Sequence, residues 1–207
     1  MRCPWCHNRE LVIGGSAGTS GLVSVEEALA HIQKRRAVLG GVVLSGGEPC
    51  LYEELSGLIE EIKKLSLPVK LDTNGTLTAM LENLLGREES RPDYIALDLK
   101  MAPARYGEPG GKLIQSAALI RACGIDHEYR TIALPGGFIT EDDIEALAPL
   151  ADNAPWYFRP FRGGNCLDPA WDNLEESGGG VKALAEKARE LGKQAVFIRG
   201  KGTKEKA

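Results

Sequence analysis

Short apolar runs alternate with longer amphipathic stretches along almost the whole chain. In the stretch 51–67, leucine and isoleucine recur at intervals of three and four residues, which places them on one stripe of a helix. The run VVL at 42–44 is short and continuous, as expected of a strand that is buried in a parallel sheet. Regular alternation of the two types predicts parallel strands that are connected by crossover helices.

The pattern predicts six strands and six helices. Ser24 and Thr140 precede two of the helices and are expected to cap them, because a hydroxyl oxygen can accept a hydrogen bond from a free N–H of the first turn. The predicted strands lie within 40–47, 69–75, 94–100, 127–135, 156–161 and 194–200, and the predicted helices within 25–39, 51–67, 77–85, 112–123, 140–151 and 180–192.

Polar and glycine-containing clusters come at the C-terminal ends of the first three predicted strands. They are Gly46-Gly47-Glu48, then Asp72-Thr73-Asn74-Gly75, then Asp98 with Lys100. An open doubly wound sheet would collect such residues mainly at one switch point, whereas successive strands of a barrel bring them together at its C-terminal mouth. Both architectures satisfy the alternation, and the distribution of the clusters favours an α/β fold with a partial (β/α)6 barrel of the TIM type.

The length and composition of the chain indicate one globular domain. Its 207 residues suit a single large domain, which we expect to span 1–200, followed by a disordered polar tail at 201–207. A formal net charge of −4 gives no broad basic surface, so nucleic acid is not an expected partner. No apolar run approaches the roughly 18 residues of a membrane helix, so a membrane is not expected either.

The cysteines suggest metal binding at the start of the chain. Their odd number, five, argues against a secreted disulfide framework and favours reduced thiols in the cytoplasm. Only Cys3 and Cys6 have the spacing of metal ligands. This pair alone is compatible with half of a zinc site, a thioredoxin-type redox pair or part of an iron–sulfur site. The histidines supply no second zinc pair, and the two residues before Cys3 leave no room for the strand of a thioredoxin motif.

Four motifs occur in order within the alternation: RCPWCHN at the start, LSGGEP after the first strand, DTNG after the second and LDLK at the end of the third. Together they resemble the radical S-adenosylmethionine (radical SAM) superfamily, from Arg2 to about Gly200. The segments VKLDTNGT, DYIALDLK, EYRTIALPG and FRPFRGGNCLDP are most similar to activases of the anaerobic ribonucleoside-triphosphate reductase. Pyruvate formate-lyase activase, a related enzyme, has PYH where this chain has RPFR.

The resemblance implies an oxidoreductase that holds a [4Fe–4S] cluster and S-adenosylmethionine (SAM). Such an enzyme generates a 5′-deoxyadenosyl radical and installs a glycyl radical on the reductase, with a flavodoxin or ferredoxin as electron donor. No side-chain acid or base is expected to be catalytic. Three alternatives remain: activation of another glycyl-radical enzyme of the pyruvate formate-lyase type, action on a small molecule, and a truncated, non-catalytic protein that keeps the fold.

The resemblance also assigns individual site residues. Cys3 and Cys6 would be ligands of the cluster, and Trp5 would lie beside the adenine. The other implied positions are Gly46, Gly47 and Glu48 at the methionine ammonium, Asp72, Thr73 and Asp98 at a monovalent cation, Lys100 at the cofactor carboxylate, and Arg130 within reach of the cofactor.

Plainer interpretations exist for several of these residues. LSGGEP is also a plausible tight turn in which Pro49 starts a helix. Asp98 and Lys100 could form an internal ion pair of the barrel, and Arg130 an ordinary buried one. Three further residues could belong to a rim that faces the substrate or a partner, or they could simply be polar residues of the surface: Arg159, Arg162 and Cys166.

The family pattern contains one cysteine more than this chain. Members read Cys-x-x-x-Cys-x-x-Cys, commonly CNLRCPWCHN, which places the first cysteine two residues before Met1. The chain is therefore expected to lack one cluster ligand together with the first barrel strand. Because three thiolates hold three irons and leave the fourth open to SAM, we expect the chain as given to bind the cluster poorly.

Overall fold

Strands and α-helices alternate along the chain as the sequence pattern predicts. The computed structural model describes residues 2–13, 23–175, 179–200 and 203–205. Its strands are β1 (Val42–Leu44), β2 (Val69–Thr73), β3 (Tyr94–Asp98), β4 (Asp126–Ala133), β5 (Trp156–Pro160), β6 (Val196–Gly200) and β7 (Thr203–Glu205). Its helices are α1 (Arg9–Ile13), α2 (Val25–Arg35), α3 (Leu55–Lys64), α4 (Thr78–Gly86), α5 (Pro109–Ala122), α6 (Glu141–Leu147) and α7 (Gly179–Glu190).

All the strands belong to one sheet, whose spatial order is the order of the chain from β1 to β7. The strands β1 to β6 pair in parallel, and β7 pairs with β6 in the antiparallel direction. The predicted α/β fold is confirmed. A sheet of six parallel strands in sequential order agrees with a partial barrel, in which the carboxyl ends of all six strands lie at one edge.

Alternation along the strands places apolar side chains in the core between sheet and helices, and polar side chains on the opposite face of the sheet. On β2, Leu71 is fully buried in the core, where it joins Ile59 of α3 and Leu113 of α5. Its neighbours Lys70 and Asp72 are only partly buried. Because successive residues of a strand point to opposite faces, the charged residues lie on the side of the sheet that the helices do not cover.

The two predicted helix caps are confirmed. The backbone N–H of Glu27 donates to Ser24 Oγ at 3.1 Å, and the Ser24 N–H donates to Glu27 Oε2 at 2.9 Å. Thr140 and Asp143 form the same reciprocal pair at the start of α6. Each pair satisfies backbone groups that the helix itself leaves free.

The prediction that the first strand is buried was wrong. Val43, in the middle of β1, is 58% exposed. Among the described strands β1 pairs only with β2, so it forms an edge of the sheet and one side lacks a covering neighbour. The predicted helices at 25–39 and 51–67 also extend too far, because Val38 and Leu51 lie in short 3₁₀ turns and are exposed.

Two elements have no counterpart in the sequence prediction, the one-turn helix α1 and the strand β7. Within the predicted tail 201–207, Thr203–Glu205 form β7, and the other four residues lie outside the described part of the chain. Within the residues that the structure describes, no helix has both the length and the apolar character needed to cross a membrane.

Candidate active site

A cavity of about 650 Å³ lies at the carboxyl ends of the parallel strands and under the N-terminal loop. Its walls include residues that lie on, or directly after, each of the strands β1 to β6. All eleven site residues implied by the resemblance line it: Cys3, Trp5, Cys6, Gly46, Gly47, Glu48, Asp72, Thr73, Asp98, Lys100 and Arg130. The topology therefore brings together motifs that are spread over more than a hundred residues of sequence.

The N-terminal loop is fastened over this cavity by backbone hydrogen bonds. The Cys6 N–H donates to the Cys3 carbonyl at 3.0 Å and closes the loop on itself. Leu167 and Asp168, in the segment after β5, donate to the carbonyls of Cys6 and Pro4, both at 2.9 Å. The two thiols are consequently held at defined positions at the cavity wall.

Trp5 anchors the same loop through its side chain. Its ring lies 5.2 Å from that of Phe138 and 5.3 Å from that of Trp171, centroid to centroid, and only 7% of the residue is exposed. Edge and tilted contacts of this kind are favourable for aromatic rings. The structure thus gives Trp5 a packing role, and its expected position beside an adenine stays a prediction.

Two thiols, those of Cys3 and Cys6, line the cavity and could hold a cluster. Burial raises the pKa of the Cys3 thiol, although the nearby Lys100 opposes that rise. Cys50 and Cys166 are buried and do not line the cavity. Within the described ranges no group of three or more histidine, cysteine or acidic side chains is placed to hold a metal. For a [4Fe–4S] cluster, this donor set is one thiolate short.

Glu48 connects the loop after β1 to the loop after β2. Its side chain is buried and accepts from the Thr73 hydroxyl at 2.7 Å, the Asn74 N–H at 2.8 Å and the Cys50 N–H at 3.2 Å. Both carboxylate oxygens therefore already have donors. The glycines before Glu48 have no side chains, so a ligand can come close to the backbone there. The Gly46 carbonyl accepts a hydrogen bond from Asn8 Nδ2 at 2.8 Å.

Arg130 on β4 joins a carboxylate on the neighbouring strand β3 and another on β2, one strand further away. Its guanidinium contacts Asp72 Oδ2 and Asp98 Oδ1, each at 2.8 Å, and Lys100 Nζ contacts Asp98 Oδ2 at 2.6 Å. Burial opposes ionisation of Asp98, but Lys100 and Arg130 outweigh it and hold the pKa of that carboxyl below its usual range. Burial also disfavours the charge on Lys100, yet Asp98 raises its pKa. The carboxylate of Asp98 also raises the pKa of Arg130 against the effect of burial, so Asp98, Lys100 and Arg130 are all ionised at neutral pH.

One oxygen at the cavity wall has no hydrogen-bond partner. Asp72 Oδ1 is buried, and Lys70 Nζ lies 3.9 Å from it and pairs more closely with Glu128, at 2.8 Å. A buried carboxylate oxygen without a donor is costly unless a ligand supplies one. Asp72 is therefore suited to accept from an ammonium group or to contact a monovalent cation.

The plainer interpretations of Asp98, Lys100 and Arg130 agree with part of this geometry, because these residues do form an internal ion-pair network. They also line the cavity, so the network and a role toward a ligand are compatible. Sequence reasoning left Arg159 and Arg162 open and missed Arg199; all three line the cavity. The position of Arg199 at the C-terminal end of a predicted strand was the available signal.

Comparison with known proteins identifies the family. A model described as the radical SAM superfamily matches residues 1–151. The chain is 28% identical over 207 residues to a protein of Methanocaldococcus jannaschii provisionally named a glycyl-radical enzyme activating enzyme, covering 94% of this chain and 80% of that protein. It is 34% identical over 114 residues to 7-carboxy-7-deazaguanine synthase of Hyperthermus butylicus, covering 55% of this chain and 44% of that protein.

A solved structure supports the fold. The radical SAM methyltransferase from Sphaerobacter thermophilus superposes with a TM-score of 0.69 at 19% identity. The superposition covers 96% of this chain, which spans 62% of the methyltransferase chain. At this identity the likeness concerns the fold alone. Because the family model covers well over half of the residues, we conclude that this chain belongs to the radical SAM superfamily.

Proposed function

We propose that the protein activates a glycyl-radical enzyme, and specifically the anaerobic ribonucleoside-triphosphate reductase. The observation that carries the proposal is the loop with Cys3 and Cys6, fastened over a cavity that is also lined by Asp72, a residue with one partnerless oxygen. Family membership implies a [4Fe–4S] cluster and SAM. The relative named as an activating enzyme supports the activase reaction over nearly the whole length of this chain.

In this proposal, the residues of the chain bind and orient the cofactors. Cys3 and Cys6 would supply two of the thiolates for the cluster. The resemblance assigns the SAM ammonium to Gly46, Gly47 and Glu48, but both Glu48 oxygens already have donors, so we assign the ammonium to Asp72, with a monovalent cation as the alternative occupant. When bound, the cluster and SAM would supply the electron and the radical chemistry for hydrogen abstraction from a glycine Cα. Glu48 and Arg130 keep the loops around this chemistry in position through their contacts with Thr73, Asn74, Asp72 and Asp98.

The surface beside the cavity suits a polypeptide substrate. Helix α1 follows the cysteine loop and carries Leu11, Val12 and Ile13, none of which is buried among the described residues. Val12 lines the cavity, while Leu11 and Ile13 are about half exposed. Neighbouring exposed apolar side chains are typical of interaction sites, so we infer that a loop of the partner enzyme enters here.

The proposal also includes an electron donor and a cellular compartment. A flavodoxin or ferredoxin would provide the electron. The described cysteines are all free thiols, which suits a reducing compartment, so the proposal places the protein in the cytoplasm.

The test is formation of a glycyl radical on the purified reductase. The chain is reconstituted anaerobically with iron and sulfide, in its present form and with Cys-Asn added before Met1. It is then incubated with SAM, a reductant and the reductase, and electron paramagnetic resonance is recorded. A glycyl signal that needs SAM and disappears in a Cys6→Ala variant supports the proposal. A cluster-loaded protein that cleaves SAM but yields no signal on the reductase contradicts it.

A second candidate is a radical SAM enzyme that acts on a small molecule. The similarity to a 7-carboxy-7-deazaguanine synthase over 55% of the chain favours it, because that relative is named for a small product. In the same assay, this candidate predicts SAM cleavage that is unaffected by the reductase.

A further inference from the structure

Three arginines line the β5 and β6 side of the cavity and have no carboxylate partner within the described ranges. Arg159 lies on β5, Arg199 on β6, and Arg162 follows β5. Arg159 Nε is buried without a hydrogen-bond partner. The other two cations of the cavity, Lys100 and Arg130, are instead paired with Asp72 and Asp98. Positive charge is therefore compensated on one side of the cavity and uncompensated on the other.

The pairing of the strands places two of these charges side by side. Phe158 pairs with Ile198 in the parallel register of β5 and β6, so the next position brings Arg159 beside Arg199. Burial lowers the pKa of Arg159 and the cations Arg130 and Arg199 lower it further, while the carboxylates of Glu128 and Asp98 offset this only in part. Neighbouring like charges on paired strands are destabilising. An arrangement of this kind becomes favourable when an anion binds between the charges.

One of these guanidinium groups is held in place without using up its donors. That of Arg199 lies 4.0 Å from the centroid of the Tyr157 ring, and Tyr157 in turn stacks on Phe197 at 5.2 Å. Cation–π contact fixes the plane of a guanidinium and leaves its N–H groups free to donate. Planar guanidinium groups are well matched to carboxylate and phosphate oxygens.

We propose that Arg159 and Arg199, with Arg162 at the rim, form a subsite for an oxyanion of the substrate, either a carboxylate or a phosphate. The assignment to the substrate rests on the proposed use of SAM. The ammonium and the carboxylate of SAM are attached to one carbon, so with the ammonium at Asp72 on β2 the carboxylate stays near that strand. Lys100, which the resemblance assigns to the cofactor carboxylate, directly follows β3, the strand next to β2. The subsite consequently selects an acidic peptide side chain or an acidic small molecule.

The experiment is calorimetric titration of the chain without cluster, using inorganic pyrophosphate and glutarate as separate probes. We expect the wild type to bind at least one probe, Arg159→Gln to weaken that binding roughly tenfold or more, and Arg35→Gln to leave it unchanged. Arg35 is the matched control because it is exposed at the end of α2, away from the cavity. If Arg159→Gln does not fold, as judged by circular dichroism, Arg199→Gln replaces it.

The two probes separate the possible substrates, since preference for pyrophosphate indicates a phosphate and preference for glutarate a carboxylate. Saturation with SAM should leave probe binding unchanged. The proposal is overturned if neither probe binds the wild type, if the control loses as much affinity as Arg159→Gln, or if SAM displaces the probe. Because the titration needs neither cluster nor reductase, a negative glycyl-radical assay and a negative titration are separate results.

Discussion

Substitution of Arg130 by methionine removes the guanidinium that joins β4 to the carboxylates of β2 and β3. Arg130 is 15% exposed and contacts Asp72 and Asp98 at 2.8 Å each. After the change Asp98 keeps Lys100 at 2.6 Å, but Asp72 loses its one hydrogen bond from Arg130, since its other oxygen is already without a partner. Breaking a buried ion pair by removing one partner costs about 3–5 kcal/mol. Because Lys70 still lies 3.9 Å from Asp72, we expect Arg130→Met to lower the free energy of unfolding by an amount near the lower end of that range.

The pH dependence tests whether the loss is electrostatic. The folded-state pKa of Asp98 lies below its usual range, so its stabilising contribution is present above the unfolded pKa of about 3.9 and is lost as the pH falls through the folded value. The difference between wild type and Arg130→Met should therefore be largest near neutral pH and shrink as the carboxyls become protonated. Guanidinium chloride unfolding measured from neutral to acidic pH provides the comparison.

Two further variants complete this test. Asp72→Asn combined with Arg130→Met removes the unpaired charge and should restore part of the lost stability, because a neutral amide costs less to bury. Arg36→Met, at an exposed arginine, should change stability by less than about 0.5 kcal/mol. A loss below about 1 kcal/mol for Arg130→Met, equal at all pH values, would refute the view that the network is a buried electrostatic unit.

Two other predictions concern the cluster and a turn. Anaerobic reconstitution should load little iron and sulfide into the present chain and about four of each when Cys-Asn precedes Met1; equal, full loading of the two forms would show that a third thiolate is not needed. Gly75→Ala should lower stability by about 1–3 kcal/mol, because Gly75 has φ of +70° and an added Cβ would lie 2.6 Å from Leu97 Cδ1. Thermal unfolding checks this loss, with Gly57→Ala as a helical control that has open space around it; an unchanged melting temperature for Gly75→Ala would contradict the strain argument.

Local patterns were sufficient for most of the fold. Apolar spacing indicated the six parallel strands and their crossover helices, and the reciprocal caps at Ser24 and Thr140 follow from residues three positions apart. The rule that parallel strands share one carboxyl edge then predicted that Gly46–Glu48, Asp72–Thr73 and Asp98 with Lys100 come together, and all of them line one cavity. These features are accessible from sequence because they depend on short-range periodicity and on a general property of parallel sheets.

Only the tertiary structure shows which of those residues already have hydrogen-bond or ion-pair partners within the protein. The contact between Arg130 and Asp72 joins positions 58 residues apart, and Glu48 takes its donors from another strand end. The exposure of β1 depends on how many strands flank it, and the uncompensated charge of Arg159 depends on its neighbour across the sheet. No local pattern encodes such pairings, because strand register and side-chain partnership are determined only when distant segments pack together.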